Sequence, residues 1–255
     1  KLRYFIFLMY IDSHCHLDIC KDIEKAIDEA RKAGVEIIVA NGIDFKSNRE
    51  VLKLSEKYKE VKAALGIYPI DGLKMSDSGI EEEIDFIRKN KDKIIAIGEI
   101  GIDLKESNEV KKQEENFIKF IKLAKELDKP IIVHSRKAEE KCINILERMM
   151  AKKVLMHCFS GNLKLIKKIV EDSWFLSVPT NVNYSAQFQR LVDEVPLQNL
   201  LCETDSPFLH PERMQDNSPK NVLISYEKIA EIKKIKLKDV EKKIEENYNS
   251  LFRIN

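Results

Sequence analysis

Ile94-Ile95-Ala96-Ile97-Gly98-Glu99 is a run of five small or apolar residues ending on a carboxylate. Neither alternate face of such a run is polar, so as a strand it must be buried on both sides, the habit of a parallel sheet covered by helices. Seven other stretches have the same character: Met9–Asp12, Glu36–Ala40, Val61–Leu65, Ile131–His134, Val154–Met156, Phe175–Val178 and Leu200–Glu203. Helical patterns separate them. Asp22–Ala33 carries Ile23, Ala26, Ile27 and Ala30 on one face and stops at Gly34, a residue suited to the turn that ends a helix. Ser47–Tyr58, Ile80–Asn90, Glu109–Leu127, Glu139–Met150, Leu163–Glu171, Ala186–Val195 and Val222–Lys233 continue the rhythm, and Val240–Phe252 adds one helix more. Strands and helices alternating eight times predict the α/β class, as a single (β/α)8 TIM-type barrel with an extra C-terminal helix. An open doubly wound sheet is the alternative. No Gly-x-Gly-x-x-Gly follows any strand, so neither a dinucleotide site nor another organic cofactor is expected.

Composition bounds what such a barrel can do. Of 255 residues, 44 are Lys or Arg and 43 are Asp or Glu, a formal net charge of +1. That balance produces no global field to draw in nucleic acid or an anionic membrane, so any grip on phosphate must be local. The longest apolar run, Tyr4–Ile11, is too short to span a bilayer, and no membrane partner is expected. The cysteines are Cys15, Cys20, Cys142, Cys158 and Cys202, an odd number with no Cys-x-x-Cys pair, which suits a reducing cytoplasm better than a disulfide framework. Residues 1–8 read as an extension ahead of a start at Met9, and residues 9–255 as one domain with no linker.

Of the five histidines, four mark strand ends. His14 and His16 follow the first strand, His134 ends the fifth and His157 the sixth; Glu99 ends the fourth and Asp205 the eighth. In a barrel these ends form the rim where active sites are built. Two imidazoles two residues apart point the same way and can share a cation. Imidazole with carboxylate suits zinc, manganese or iron, and carboxylate with water also admits magnesium. Six such groups exceed what a closed four-ligand site uses. They suit two adjacent divalent ions (Mg²⁺, Mn²⁺ or Zn²⁺) bridged by a carboxylate and a water, the equipment of metal-assisted hydrolysis. Glu203, on the same face as Asp205, reads as a hydrogen-bonded support, and His210 as a loop residue.

The segments Ile11-Asp12-Ser13-His14-Cys15-His16-Leu17-Asp18, Gly98-Glu99-Ile100-Gly101-Ile102-Asp103, Val133-His134-Ser135-Arg136, His157-Cys158-Phe159-Ser160-Gly161 and Glu203-Thr204-Asp205-Ser206-Pro207 follow one another in order. Together with Gln113, Phe117 and the Arg213-x-x-x-Asn217-x-Pro219 signature, they resemble the TatD family of metal-dependent deoxyribonucleases, within the amidohydrolase superfamily. The resemblance runs from about Tyr10 to the last helix. It implies that His14, His16 and Asp205 hold one cation and His134 and His157 the other, with Glu99 bridging. It further implies that Asp205 orients the attacking water and takes its proton, and that the substrate is a DNA phosphodiester attacked from the 3′ end.

Arg136 follows an implied ligand and is a candidate for gripping phosphate, as is Arg213 through the signature it belongs to. The family usually shows Gly-x-His-Pro-His after the third strand, where this chain has Gly66-Ile67-Tyr68-Pro69-Ile70. Tyr68 is therefore a candidate hydrogen-bond donor to phosphate, with no charge near neutral pH. This departure leaves open a second substrate class, a small ester, amide, lactone or phosphoester. A metal-binding protein that recognises a partner without cleaving it is a third possibility.

Overall fold

Tyr10–Cys15 is buried at every residue and lies parallel to Val35–Asn41, as a strand covered on both faces must. The computed structural model describes residues 9–252, so the expectation for residues 1–8 lies outside the described residues. Among them, eight parallel strands follow one another in a single sheet: β1 (Tyr10–Cys15), β2 (Val35–Asn41), β3 (Val61–Leu65), β4 (Ile94–Gly101), β5 (Ile131–His134), β6 (Val154–Met156), β7 (Phe175–Pro179) and β8 (Leu200–Glu203). Around them run α1 (Ile23–Lys32), α2 (Phe45–Lys57), α3 (Pro69–Leu73), α4 (Asp77–Lys89), α5 (Val110–Glu126), α6 (Glu139–Arg148), α7 (Leu163–Glu171), α8 (Ala186–Glu194), α9 (Val222–Lys233) and α10 (Leu237–Phe252). The sheet curls into a nearly closed barrel, as the alternation of elements predicts.

The seam between the first and last strands is held by specific bonds. Asp205 N donates to His14 O at 3.0 Å and His16 N to Ser206 O at 2.8 Å. The buried Asp12 carboxylate accepts from Thr204 N at 2.9 Å and from the Thr204 hydroxyl at 2.5 Å. From α9, the Tyr226 hydroxyl accepts from Ile11 N at 2.9 Å. The extra helix α10 serves the same edge, because Asn247 donates to Leu197 O and Leu200 O at 2.8 and 2.7 Å. The helix the sequence adds to the eight thus satisfies backbone carbonyls at the start of β8.

β2 exceeds the apolar pattern by one residue at each end and β7 by one at its last, and β1 and β4 run further beyond it. β1 continues through Ser13, His14 and Cys15, so His14 lies within the strand and only His16 follows it. β4 continues to Gly101, which places Glu99 inside the strand. In both cases polar residues keep their place in the sheet because their side chains turn to the barrel mouth, where partners await them. Gly101 is the one residue that fits its position, with φ at 146° and a Cβ that would fall 1.9 Å from His134 O. Helices α2, α4 and α10 begin two or three residues before their apolar stripes. Asp44 and Ser76 cap α2 and α4 by accepting the backbone N–H of Ser47 and Gly79, so polar first turns belong to the helices. Among the described residues, no helix is long and apolar enough to cross a membrane.

Candidate metal centre

The six residues picked out by the rhythm converge at the C-terminal mouth of the barrel. His14 comes from β1, His16 from the residue after it, Glu99 from β4, His134 from the last residue of β5, His157 from the residue after β6, and Asp205 from the turn after β8. Asp205 sits at φ 54°, a left-handed turn tolerated by an aspartate, and this turns its carboxylate back toward β1.

Glu99 stands at the centre, only 2% exposed, and its two oxygens face different groups. Oε2 lies 3.6 Å from His14 Nε2 and 3.3 Å from His16 Nε2. Those same nitrogens are each 3.5 Å from Asp205 Oδ1. Oε1 lies 2.8 Å from His134 Nδ1 and 3.2 Å from His157 Nε2, and the two ring nitrogens are 3.4 Å apart. Metal–ligand bonds of about 2.0–2.2 Å place neighbouring donors roughly 3–3.6 Å apart, so both clusters have the spacing of a coordination shell. His14 and His157 stack with ring centroids 3.8 Å apart, which brings the two clusters into contact. The buried His14 Nδ1 and Nε2 and His157 Nδ1 find no hydrogen-bond partner among the described residues. Orphaned imidazole nitrogens beside two carboxylates are an expensive arrangement unless a cation completes it. The donor set fits a divalent metal.

The electrostatics agree. Burial pushes the carboxyls of Glu99 and Asp205 up, yet the surrounding histidines hold both well below the usual carboxylate range: His157 and His134 act on Glu99, His14 and His16 on Asp205. Burial pushes His16 down, but its bond to Asp205 and the field of Glu99 reverse this, and its pKa reaches about 9. His157 is likewise raised by Glu99 and Glu203 against the cost of burial. Only His14 is lowered, by burial and by its neighbour His157. Two permanent anions thus attract protons, or a metal in their place.

The residues behind the donors orient them. Glu203 accepts from Cys158 N at 2.9 Å and from the Ser177 hydroxyl at 2.5 Å, and its Oε2 faces His157 Nδ1 at 3.5 Å, the supporting place the sequence suggests for it. His16 Nδ1 lies 3.3 Å from Asn41 O. Asp103 faces His134 Nε2 at 3.0 Å. The motif contains Asp103, but residue type and spacing gave it no role; only the fold reveals what it touches. The three candidates for substrate contact have partners of their own. Arg136 is exposed and pairs with Glu106 at 3.5 Å. Arg213 is exposed and stacks on Tyr184 at 4.3 Å from the ring centroid. Tyr68 gives its hydroxyl to Asp103 at 2.6 Å. His210 accepts from Glu212 N at 3.0 Å, within its own loop.

A parallel barrel with histidines and carboxylates gathered at its C-terminal mouth defines a metal-dependent hydrolase. The family model described as TatD related DNase matches residues 11–253, and the chain belongs to that family. It is 38% identical over 247 residues to the uncharacterized metal-dependent hydrolase MJ1582 of Methanocaldococcus jannaschii, covering 96% of this chain and 97% of that one. It is 35% identical over 257 residues to the deoxyribonuclease TATDN3 of Homo sapiens, covering 95% and 94%. The crystal structure of YjjV, a TatD homologue from Escherichia coli K12, superimposes with a TM-score of 0.90 at 28% identity, covering 96% of this chain and 98% of that one.

Proposed function

We propose that this hydrolase cleaves DNA phosphodiester bonds with two divalent cations, trimming strands from the 3′ end. The observation that carries the reading is Glu99, whose two oxygens each face a separate set of donors at 2.8–3.6 Å. His14, His16 and Asp205 would hold one ion and His134 and His157 the other, with Glu99 between. Bound there, divalent cations lower the pKa of a water and offset charge developing on the phosphate. Asp205 is the more exposed of the two carboxylates, at 13% against 2% for the Glu99 side chain, and it faces the mouth. It would orient the attacking water and accept its proton, a role open to a carboxylate that is ionised at neutral pH. Arg136 and Arg213 stand at the rim as phosphate contacts. TATDN3 carries the name deoxyribonuclease, which supports the DNA substrate.

The test is cleavage of single-stranded DNA carrying a label at one end, with Mg²⁺, Mn²⁺ or Zn²⁺ supplied in turn. We expect stepwise loss from a free 3′ end and none when that end is blocked. Asp205→Asn and Glu99→Gln should each lower the rate at least about a thousandfold, the scale of losing a group that acts on the reacting atoms. Cleavage that persists in both variants overturns the proposal. A second reading, a small phosphoester, ester or lactone as substrate, is favoured by Tyr68, which leaves the loop after β3 without the histidine cations its relatives' motif would supply. Turnover of small esters without turnover of DNA would establish it.

A further inference from the structure

Asp103 is fully buried, and every bond it makes is directed. Its Oδ1 accepts from Lys105 N at 2.8 Å and Glu106 N at 3.0 Å. Its own backbone is clamped by Gln113, which accepts from Asp103 N at 2.7 Å and donates to Asp103 O at 3.2 Å. The carboxylate therefore cannot swing. Its remaining oxygen, Oδ2, accepts from the Tyr68 hydroxyl at 2.6 Å and faces His134 Nε2 at 3.0 Å. An ionised carboxylate only accepts, so His134 must carry its proton on Nε2. That leaves Nδ1, which lies 2.8 Å from Glu99 and 3.4 Å from His157, as the nitrogen that would give up its proton to a cation bound among them.

Tyr68 touches both members of this chain. Its hydroxyl holds Asp103, and its ring packs edge-on against the His134 ring with centroids 5.0 Å apart and an interplanar angle of 73°. Tyr68 is itself anchored, its N donating to Ile43 O at 2.8 Å and Pro69 starting α3 directly after it. Burial and Asp103 push the phenol above its ordinary range, so it remains a donor at every physiological pH.

From this chain of contacts we propose that Tyr68 is a positioning residue for the metal centre. Acting through Asp103, it fixes the tautomer and angle at which His134 offers Nδ1 to the second cation. The inference rests on the metal-centre reading but not on the identity of the substrate. It gives the residue that replaces the family's usual histidine a task inside the site rather than on the phosphate. Supporting bonds of this kind are worth about 10–100-fold in metal affinity.

The test is a titration of metal-free protein with Zn²⁺ or Mn²⁺ against a chelating indicator, which needs no substrate. His157→Ala first identifies which equivalent belongs to the Glu99–His134–His157 group. Tyr68→Phe, which keeps the ring and removes the donor, is expected to weaken that equivalent about tenfold or more and to leave the other within a factor of two or three. Asp103→Asn should weaken the same equivalent further. Tyr68→His, which restores a donor, should recover part of the loss. Unchanged binding of both equivalents in Tyr68→Phe, or equal weakening of both, overturns the proposal. If the wild-type protein binds no cation, the metal-centre reading itself falls, and that failure is told apart by the wild-type control alone.

Discussion

A single imidazole, His16, shows how the proposed site would trade protons for metal. With Asp205 and Glu99 beside it, its pKa stands at about 9, against about 6.5 for an unfolded chain. A raised folded pKa means that the metal-free protein draws stability from this proton fully below pH 6.5 and loses it as pH rises through 9. A cation must displace that proton, so the sign for metal binding is opposite. Affinity for the cation that His14, His16 and Asp205 would share should climb by about tenfold per pH unit up to about pH 9 and then level off. Calorimetric titration at pH 6.5, 7.5 and 8.5, in buffers of differing ionisation heat, would reveal both the slope and the released proton; an affinity independent of pH would contradict the assignment of His16 as a ligand. At this scale the sequence carried a great deal. His-x-His and four further candidate ligands at strand ends could be picked out by type and position. The contact between Tyr68 and Asp103 could not, because an aspartate and a tyrosine 35 residues apart have no pattern until the chain folds.

The strand β4 illustrates what one element demands of its sequence. It bears Glu99 and must also lie flush against the end of β5, where His134 offers its ring. Gly101 makes that approach possible, since a methyl group there would sit 1.9 Å from His134 O, in a backbone region that side chains rarely adopt. Gly101→Ala should cost at least about 2 kcal/mol through overpacking and backbone strain, and should loosen metal binding by shifting His134. Denaturant unfolding of the metal-free variant measures the first effect, and a wild-type midpoint would show that the strands do not meet so closely. Elements of this kind were legible wherever hydrophobic period announced them. Their ends were not: the first turns of α2 and α4 are mostly polar and defined by capping bonds from Asp44 and Ser76, and β1 runs on through Ser13, His14 and Cys15, which a hydrophobicity pattern reads as loop. The five-residue α3 is too short to establish a period at all.

For the molecule as a whole, a net charge of +1 bears on the DNA binding proposed for it. With Arg136 and Arg213 as the arginine contacts proposed at the rim, binding should release few counterions. A plot of log affinity against log salt, measured with Ca²⁺ or with Asp205→Asn to prevent cleavage, should have a slope of only about −1 to −2. A slope near −6 or steeper would mean that a basic surface elsewhere does the gripping. The amino-acid sequence by itself determined the barrel, because eight doubly buried strands alternating with amphipathic helices have few other ways to cover their faces. It also determined the donor types, because strand ends in such a barrel share one rim. Only the tertiary structure decided the rest: which oxygen of Glu99 serves which histidines, which nitrogen of His134 faces the centre, and that Tyr68 reaches Asp103. These are matters of distance and direction between residues far apart in the chain, and they acquire values only when the sheet closes and brings the strand ends within hydrogen-bonding reach.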